Sequence, residues 1–187
     1  LQKLNLHATT LEENTLSNVT EWIDTGCLVL NSILSGSLYG GVPKGRITIF
    51  AGETQCGKTF ILNKILAKAQ EKGMIPIIFD TEVAIEKEGA ENVGLDVSNV
   101  KYVPVDTVEN CRNQIMAFLD EVEKEPELRG KFIISIDSLG NLASSKEIAD
   151  AEANKGAMDM GLRAKQLKSM MRIITYKAAV TGTTIIC

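Results

Sequence analysis

Arg46-Ile-Thr-Ile-Phe-Ala51 runs directly into Gly52-Glu-Thr-Gln-Cys-Gly-Lys-Thr59, and the second stretch fills every fixed position of the pattern G-x-x-x-x-G-K-[ST]. Gly52 and Gly57 permit backbone torsions closed to residues with side chains, so successive N–H groups can turn inward toward phosphate oxygens. Lys58 would set its ammonium on the terminal phosphates, and Thr59 would offer a hydroxyl to Mg²⁺. The flanks agree. An apolar, β-branched run precedes the loop, and Ile61, Ile65, Leu66 and Ala69 follow at helical spacing from Phe60 to Lys72, before Gly73. Strand, tight loop and helix N-terminus form an anion-binding unit. The sequence therefore predicts nucleotide binding by Gly52, Glu53, Thr54, Gln55, Cys56, Gly57, Lys58 and Thr59.

Downstream, short apolar runs alternate with helical patterns. Ile75-Pro-Ile-Ile-Phe79 reads as a strand buried on both faces and delivers Asp80-Thr81-Glu82 at its end. Residues 84–93 suit a short helix closing at Gly94, and Val100-Lys-Tyr-Val-Pro104 suits a third strand. Thr107 is a good N-cap for a helix whose Val108, Cys111, Ile115, Leu119 and Val122 share one face, ending near Pro126 and Gly130. Lys131-Phe-Ile-Ile-Ser-Ile136 is a fourth strand with Asp137-Ser138 at its tip. This order predicts an α/β fold, a mostly parallel twisted sheet with helices on both faces. Ligands of such sheets bind beyond the carboxyl ends of the strands, where the glycine loop, Glu82 and Asp137 should gather. Asp137 is the candidate metal-side carboxylate, paired with Thr59. Glu82 is the candidate group for orienting a water, and its neighbour Asp80 competes for that role.

The remaining segments are less regular. Residues 1–18 are polar, with Leu4, Leu11 and Leu16 too sparse for a core face, and suit a short helix or an arm. Leu30, Ile33 and Leu34 share a helical side, and 36–45 is a glycine-rich loop. Residues 139–157, small and polar without periodicity, are expected to be a functional or disordered loop. A last helix over about 158–181 places Met160, Ala164, Leu167, Met171, Ile174 and Ala178 on one face. Lys165, Lys168 and Arg172 form a second stripe, and from Gly161 to Lys177 the helix has five basic and no acidic residues.

With 187 residues, 44% hydrophobic and 24% charged, the chain is one domain able to bury roughly 70% of its unfolded surface. No apolar run approaches the ~20 residues of a membrane span, and nothing resembles an export leader, so a cytoplasmic location is expected. The four cysteines, Cys27, Cys56, Cys111 and Cys187, lack C-x-x-C spacing and read as reduced thiols. A net charge of −4 argues against an acidic partner overall, although a local basic stripe can override that balance. The absence of an initial Met and the β-type run Thr183-Thr-Ile-Ile-Cys187 at the end suggest a piece of a longer protein.

Taken together, Trp22-Ile-Asp-Thr-Gly26, Gly41-Val-Pro-Lys-Gly-Arg46, the glycine loop, Asp80-Thr-Glu82, Gly94-Leu-Asp96, Ile136-Asp-Ser138 and Met160-Gly-Leu162 running to Met171-Arg172 resemble the RecA-type recombinases over about residues 19–187. Ile136-Asp-Ser-Leu-Gly-Asn-Leu-Ala-Ser144 resembles the phage branch typified by UvsX. The resemblance implies a P-loop NTPase core of RecA-like fold. The implied activity is that of an ATP- and Mg²⁺-dependent ATPase that forms filaments on single-stranded DNA and pairs it with a homologous duplex. Carried onto this chain, Lys58 and Glu82 are catalytic, Thr59 and Asp137 serve the metal, and residues 144–162 form a first DNA-binding loop. Met160, Arg163, Lys165, Lys168 and Arg172 are the candidate DNA contacts. Residues 1–18 resemble an arm that docks on a neighbouring protomer, and 19–187 resemble a partial ATPase core that stops before a second DNA-binding loop. Mediator proteins are possible further partners. A RecA-fold helicase-type ATPase and a non-catalytic ATP-binding filament subunit or mediator are the alternatives. One departure stands out: Val83 to Gly89 lacks the Pro and Tyr that relatives use near adenine.

Overall fold

The computed structural model describes residues 9–14, 16–153 and 160–187. In chain order these form β1 (Trp22–Ile23), α1 (Leu28–Ser35), β2 (Val42–Pro43), β3 (Ile47–Thr48), α2 (Lys58–Glu71), β4 (Ile75–Asp80), α3 (Lys87–Asn92), β5 (Lys101–Pro104), α4 (Val108–Lys124), β6 (Phe132–Asp137), α5 (Ser145–Glu152), α6 (Met160–Thr181) and β7 (Thr184–Ile186). β1 and β2 pair antiparallel. The other five strands make one parallel sheet in the order β3-β7-β6-β4-β5.

Period-two alternation divides the apolar side chains of this sheet between two cores. Ile77 and Phe79 of β4, Ile134 and Ile136 of β6 and Ile185 of β7 pack with Val108, Cys111, Ile115 and Leu119 of α4 and Met170, Ile174 and Ala178 of α6. On the other face Ile78, Ile133 and Ile186 pack with Leu62, Ile65, Leu66 and Ala69 of α2. An edge-to-face contact between Phe118 and Phe132, centroids 4.9 Å apart, adds about 0.5–1.5 kcal/mol to the seating of α4 on β6.

The chain leaves β4 outward to β5, then returns to lay β6 on the other side of β4. That reversal opens a crevice at the carboxyl ends of β4 and β6, the position where parallel sheets bind ligands. β7, buried along its whole length, lies between β6 and β3, so the strand feeding the glycine loop is two places from the strand carrying Asp137. Phe50 N–H donates to the Cys187 carbonyl at 2.7 Å and prolongs the β3–β7 pairing toward the loop.

Three expectations need correction. The described part of 139–157, which ends at 153, is not a structureless loop: 139–141 form a 3₁₀ turn and Ser145–Glu152 is a helix. Ser144 caps it, accepting from Glu147 N–H while the Glu147 carboxylate accepts from Ser144 N–H, a reciprocal box that sustains a helix with no buried residue. Ala164 is exposed rather than on the core face of α6, because Met170 is fully buried there and turns the inward stripe toward Met170, Ile174 and Ala178. Ile33 is also exposed. The buried residue of α1 is Asn31, whose Oδ1 accepts from the Thr25 N–H and hydroxyl and whose Nδ2 donates to Asp24 and the Leu38 carbonyl. Of residues 1–18, the described part contains a turn at 11–13 and one long-range tie, from Arg46 Nη2 to the Leu16 carbonyl at 2.5 Å.

Candidate nucleotide site and basic face

The glycine loop takes the torsions its composition allows. Gln55 and Gly57 have φ of 64° and 91°, and Gly57 is the left-handed residue from which α2 starts. The helix begins at Lys58, two residues before the apolar periodicity indicates, so Lys58 and Thr59 sit in its first turn, where N–H groups lack intrahelical acceptors. A Cβ at Gly52 would lie 2.7 Å from Cys56 Sγ, so a larger residue there would force the Cys56 side chain to shift. Lys58 Nζ donates to the Gly52 carbonyl at 3.0 Å and the Glu53 carbonyl at 2.7 Å, which holds the ammonium over the loop. A cleft of about 310 Å³ is lined by this loop together with Asp80, Glu82, Asp137 and Ser138, and a second of about 460 Å³ adjoins it along Phe50–Gly52 and Leu139–Asn141.

Thr59 and Asp137 meet as expected, the hydroxyl donating to Asp137 Oδ2 at 2.6 Å across 78 positions of sequence. Burial holds the Asp137 carboxyl above its ordinary value. The Thr59 hydroxyl and Lys58 oppose that shift, while the charges of Glu82 and Asp80 add to it. A hydroxyl and a carboxylate raised by burial and by other acids form a hard-oxygen pair that a divalent cation would relieve.

The structure separates the two acids that sequence could not. Asp80 is 1% exposed and its carboxylate is fully engaged. It accepts from the N–H groups of Glu82, Val83, Ala84 and Ile85 and from the Tyr102 hydroxyl at 3.0 Å. It is the clamp of the turn, strong enough to hold β-branched Val83 at φ 52°. Glu82 is exposed, and its Oε1 accepts from Ser138 Oγ at 3.1 Å. Thr81 ties the two strand ends: its hydroxyl accepts from Ser138 N–H at 2.9 Å and lies 3.0 Å from the Ser138 carbonyl. Of the pair, Asp80 is spent on the turn, whereas Glu82 lines the cleft with an exposed side chain.

On α6 the basic residues divide. Lys165, Lys168 and Arg172 are exposed and have no ion pair among the described residues. Arg163 is turned inward, its Nε donating to the Leu142 carbonyl at 2.6 Å and its Nη2 to the Gly140 carbonyl. It joins α6 to the segment that leaves Asp137-Ser138. Lys177 bridges Asp120 at 2.7 Å and also Glu123 on α4. The Met160 side chain and residues 154–159 lie outside the described residues. Sequence reading missed the Asp80 clamp, the Ser138–Glu82 contact and the Arg163 tie; of these, only the first had a signal, an Asx residue opening a turn.

Burial pushes the thiols of Cys111 and Cys187 up to about 12, whereas Cys27 and Cys56 are exposed. A thiol reagent on the native protein is therefore expected to modify Cys27 and Cys56 rapidly and the other two only after denaturation. Mg²⁺–ATP should slow labelling at Cys56 and leave Cys27 unchanged, as peptide mapping would read out.

The parallel sheet, the glycine loop at a helix N-terminus and the Thr59–Asp137 pair at the switch point define a phosphate-loop α/β protein. Residues 7–187 match the family model described as RecA N-terminal domain, and the chain belongs to that family. It is 34% identical over 160 residues to a recombination and repair protein of Enterobacteria phage T4, covering 84% of this chain and 39% of the relative. It is likewise 34% identical over 166 residues to protein RecA of Nitratiruptor sp., covering 89% and 44%, and 32% identical over 166 residues to protein RecA of Synechococcus elongatus, covering 89% and 43%. The chain thus spans about two fifths of the length of these curated relatives. No helix among the described residues is long and apolar enough to cross a membrane.

Proposed function

We propose that this chain is the nucleotide-binding core of an ATP-dependent recombinase that assembles on single-stranded DNA and pairs it with a duplex in recombination and repair. The observation that carries the reading is the Thr59–Asp137 contact at 2.6 Å, with exposed Glu82 beside it in the cleft of the glycine loop. In this reading the loop N–H groups and Lys58 hold the triphosphate of ATP, and Thr59 and Asp137 hold Mg²⁺. A divalent ion held there would supply charge neutralisation to the triphosphate. Glu82 orients and deprotonates the attacking water, and Ser138 fixes its carboxylate.

Lys165, Lys168 and Arg172 meet the phosphates of the strand, with residues 144–162 beside them. Flexible cations bind a backbone without reading sequence, which suits a search for homology. Arg163 serves the same interface from within, by fixing α6 to the segment after Asp137. The arm at 1–18 reaches a neighbouring protomer, the whole acts in the cytoplasm, and mediator proteins are further candidate partners.

The test is ATP hydrolysis by the full-length protein with and without single-stranded DNA: hydrolysis should rise severalfold, and an unchanged rate would favour a non-catalytic mediator. Replacing Lys165 and Arg172 together by Ala should make the salt dependence of single-strand binding shallower by about 1.4, since each phosphate neutralised on a single strand adds about 0.7 to the slope. Nucleotide affinity should not change, and an unaltered slope would remove the two residues from the interface.

A further inference from the structure

One aromatic ring stands on the basic face of α6. Tyr176 is 54% exposed, and its hydroxyl has no hydrogen bond among the described residues. Tyr102, also exposed, instead spends its hydroxyl on Asp80. At 3.6 residues per turn, Lys168, Arg172 and Tyr176 succeed one another at steps of four. Together with Lys165 they occupy a strip about 16 Å long opposite the buried Met170, Ile174 and Ala178. Ile173, 38% exposed, flanks the ring and adds apolar surface. The orientation of the strip is fixed by neighbours: Lys177, the next residue, is held to α4 through Asp120 and Glu123, which keeps Tyr176 outward and occupies two nearby carboxylates.

From this arrangement we infer that Tyr176 is a base-stacking platform at the end of the basic strip, so that the face binds unpaired bases as well as phosphates. The inference rests on the DNA-binding reading and deepens it. Lys165, Lys168 and Arg172 attract any polyanion; an exposed ring in line with them adds affinity only for a strand whose bases are free to stack. Stacking tolerates every base because each has a π-face, and a phenol ring without a hydrogen-bonding obligation presents its face at little cost.

The test measures the affinity of the full-length protein for three probes: an oligo(dT), an abasic oligonucleotide of equal length and a duplex. Tyr176→Ala should weaken oligo(dT) binding by about 5- to 100-fold, with the salt slope unchanged, and leave abasic and duplex affinities as they were. Tyr176→Phe should retain wild-type affinity. Equal affinity of Tyr176→Ala and wild type for oligo(dT), or an equal loss on all three probes, would overturn the inference. If wild-type protein binds none of the three, it is the DNA-binding reading itself that fails. An unchanged Tm for both variants, expected of an exposed side chain, keeps the comparison clean.

Discussion

Glu82→Gln is expected to lower ATP turnover by about 10²–10⁴-fold, the range for loss of a positioned general base, with nucleotide affinity nearly unchanged. The reason is local. Glu82 does not build the turn it stands on, because Asp80 accepts all four N–H groups of residues 82–85. Its carboxylate accepts from Ser138 Oγ and has no hydrogen bond to the glycine loop among the described residues. The amide keeps size and the Ser138 contact while removing the basic oxygen. A drop in kcat at constant Kd for ATP, from single-turnover and titration measurements, is the expected pattern. A comparable loss of affinity would instead place Glu82 among the binding groups.

The second large effect concerns Asp137 and has opposite signs for binding and stability. Asp137→Asn should weaken Mg²⁺-dependent nucleotide binding by about 10- to 100-fold, as loss of a metal-supporting group does. It should also raise the Tm of the nucleotide-free protein. Burial lifts the folded carboxyl above its ordinary 3.8, so the folded chain holds the proton more tightly than the unfolded one. The stability this gives is complete below about pH 3.8 and disappears as pH rises through the folded value. At neutral pH ionised Asp137 is a cost, which Asn removes while its Oδ1 still accepts from Thr59. The stability advantage of the variant should therefore grow as pH rises from 4 toward 7, and Mg²⁺–ATP should stabilise wild type more than the variant. Equal unfolding curves across that range would show that the carboxylate is not strained by burial.

The parts of the fold legible in sequence are those where one strong period meets a clear end signal. The face of α4 can be read residue by residue, Val108, Cys111, Ile115, Leu119 and Val122 all being buried beneath a Thr107 cap. The glycine loop is legible because backbone torsion restricts residue type at fixed spacing, and the Thr59–Asp137 contact because Asp137 stands at the end of an apolar strand beside that loop. α5 escapes such a reading because it is only eight residues long and buries none of them; Ser144-x-x-Glu147 is its one clear signal. The place of β7 between β3 and β6 cannot be read, since any fully buried strand is apolar wherever it lies in the sheet. Asp80 and Glu82 are indistinguishable in sequence because the difference between them is which one faces five donors. The tie from Arg163 depends on carbonyls about twenty residues away, which sequence does not mark.

Through Glu82, Ser138, the carbonyls of Gly140 and Leu142, and Arg163, the nucleotide cleft is contiguous with the helix that bears the basic strip. If the nucleotide state governs that strip, the affinity of the full-length protein for single-stranded DNA must depend on what fills the cleft. The direct measurement is that affinity with a non-hydrolysable ATP analogue and Mg²⁺ against the same titration with ADP. A difference of about 5- to 150-fold is expected, the usual range of coupling between two sites. Equal affinities would contradict it.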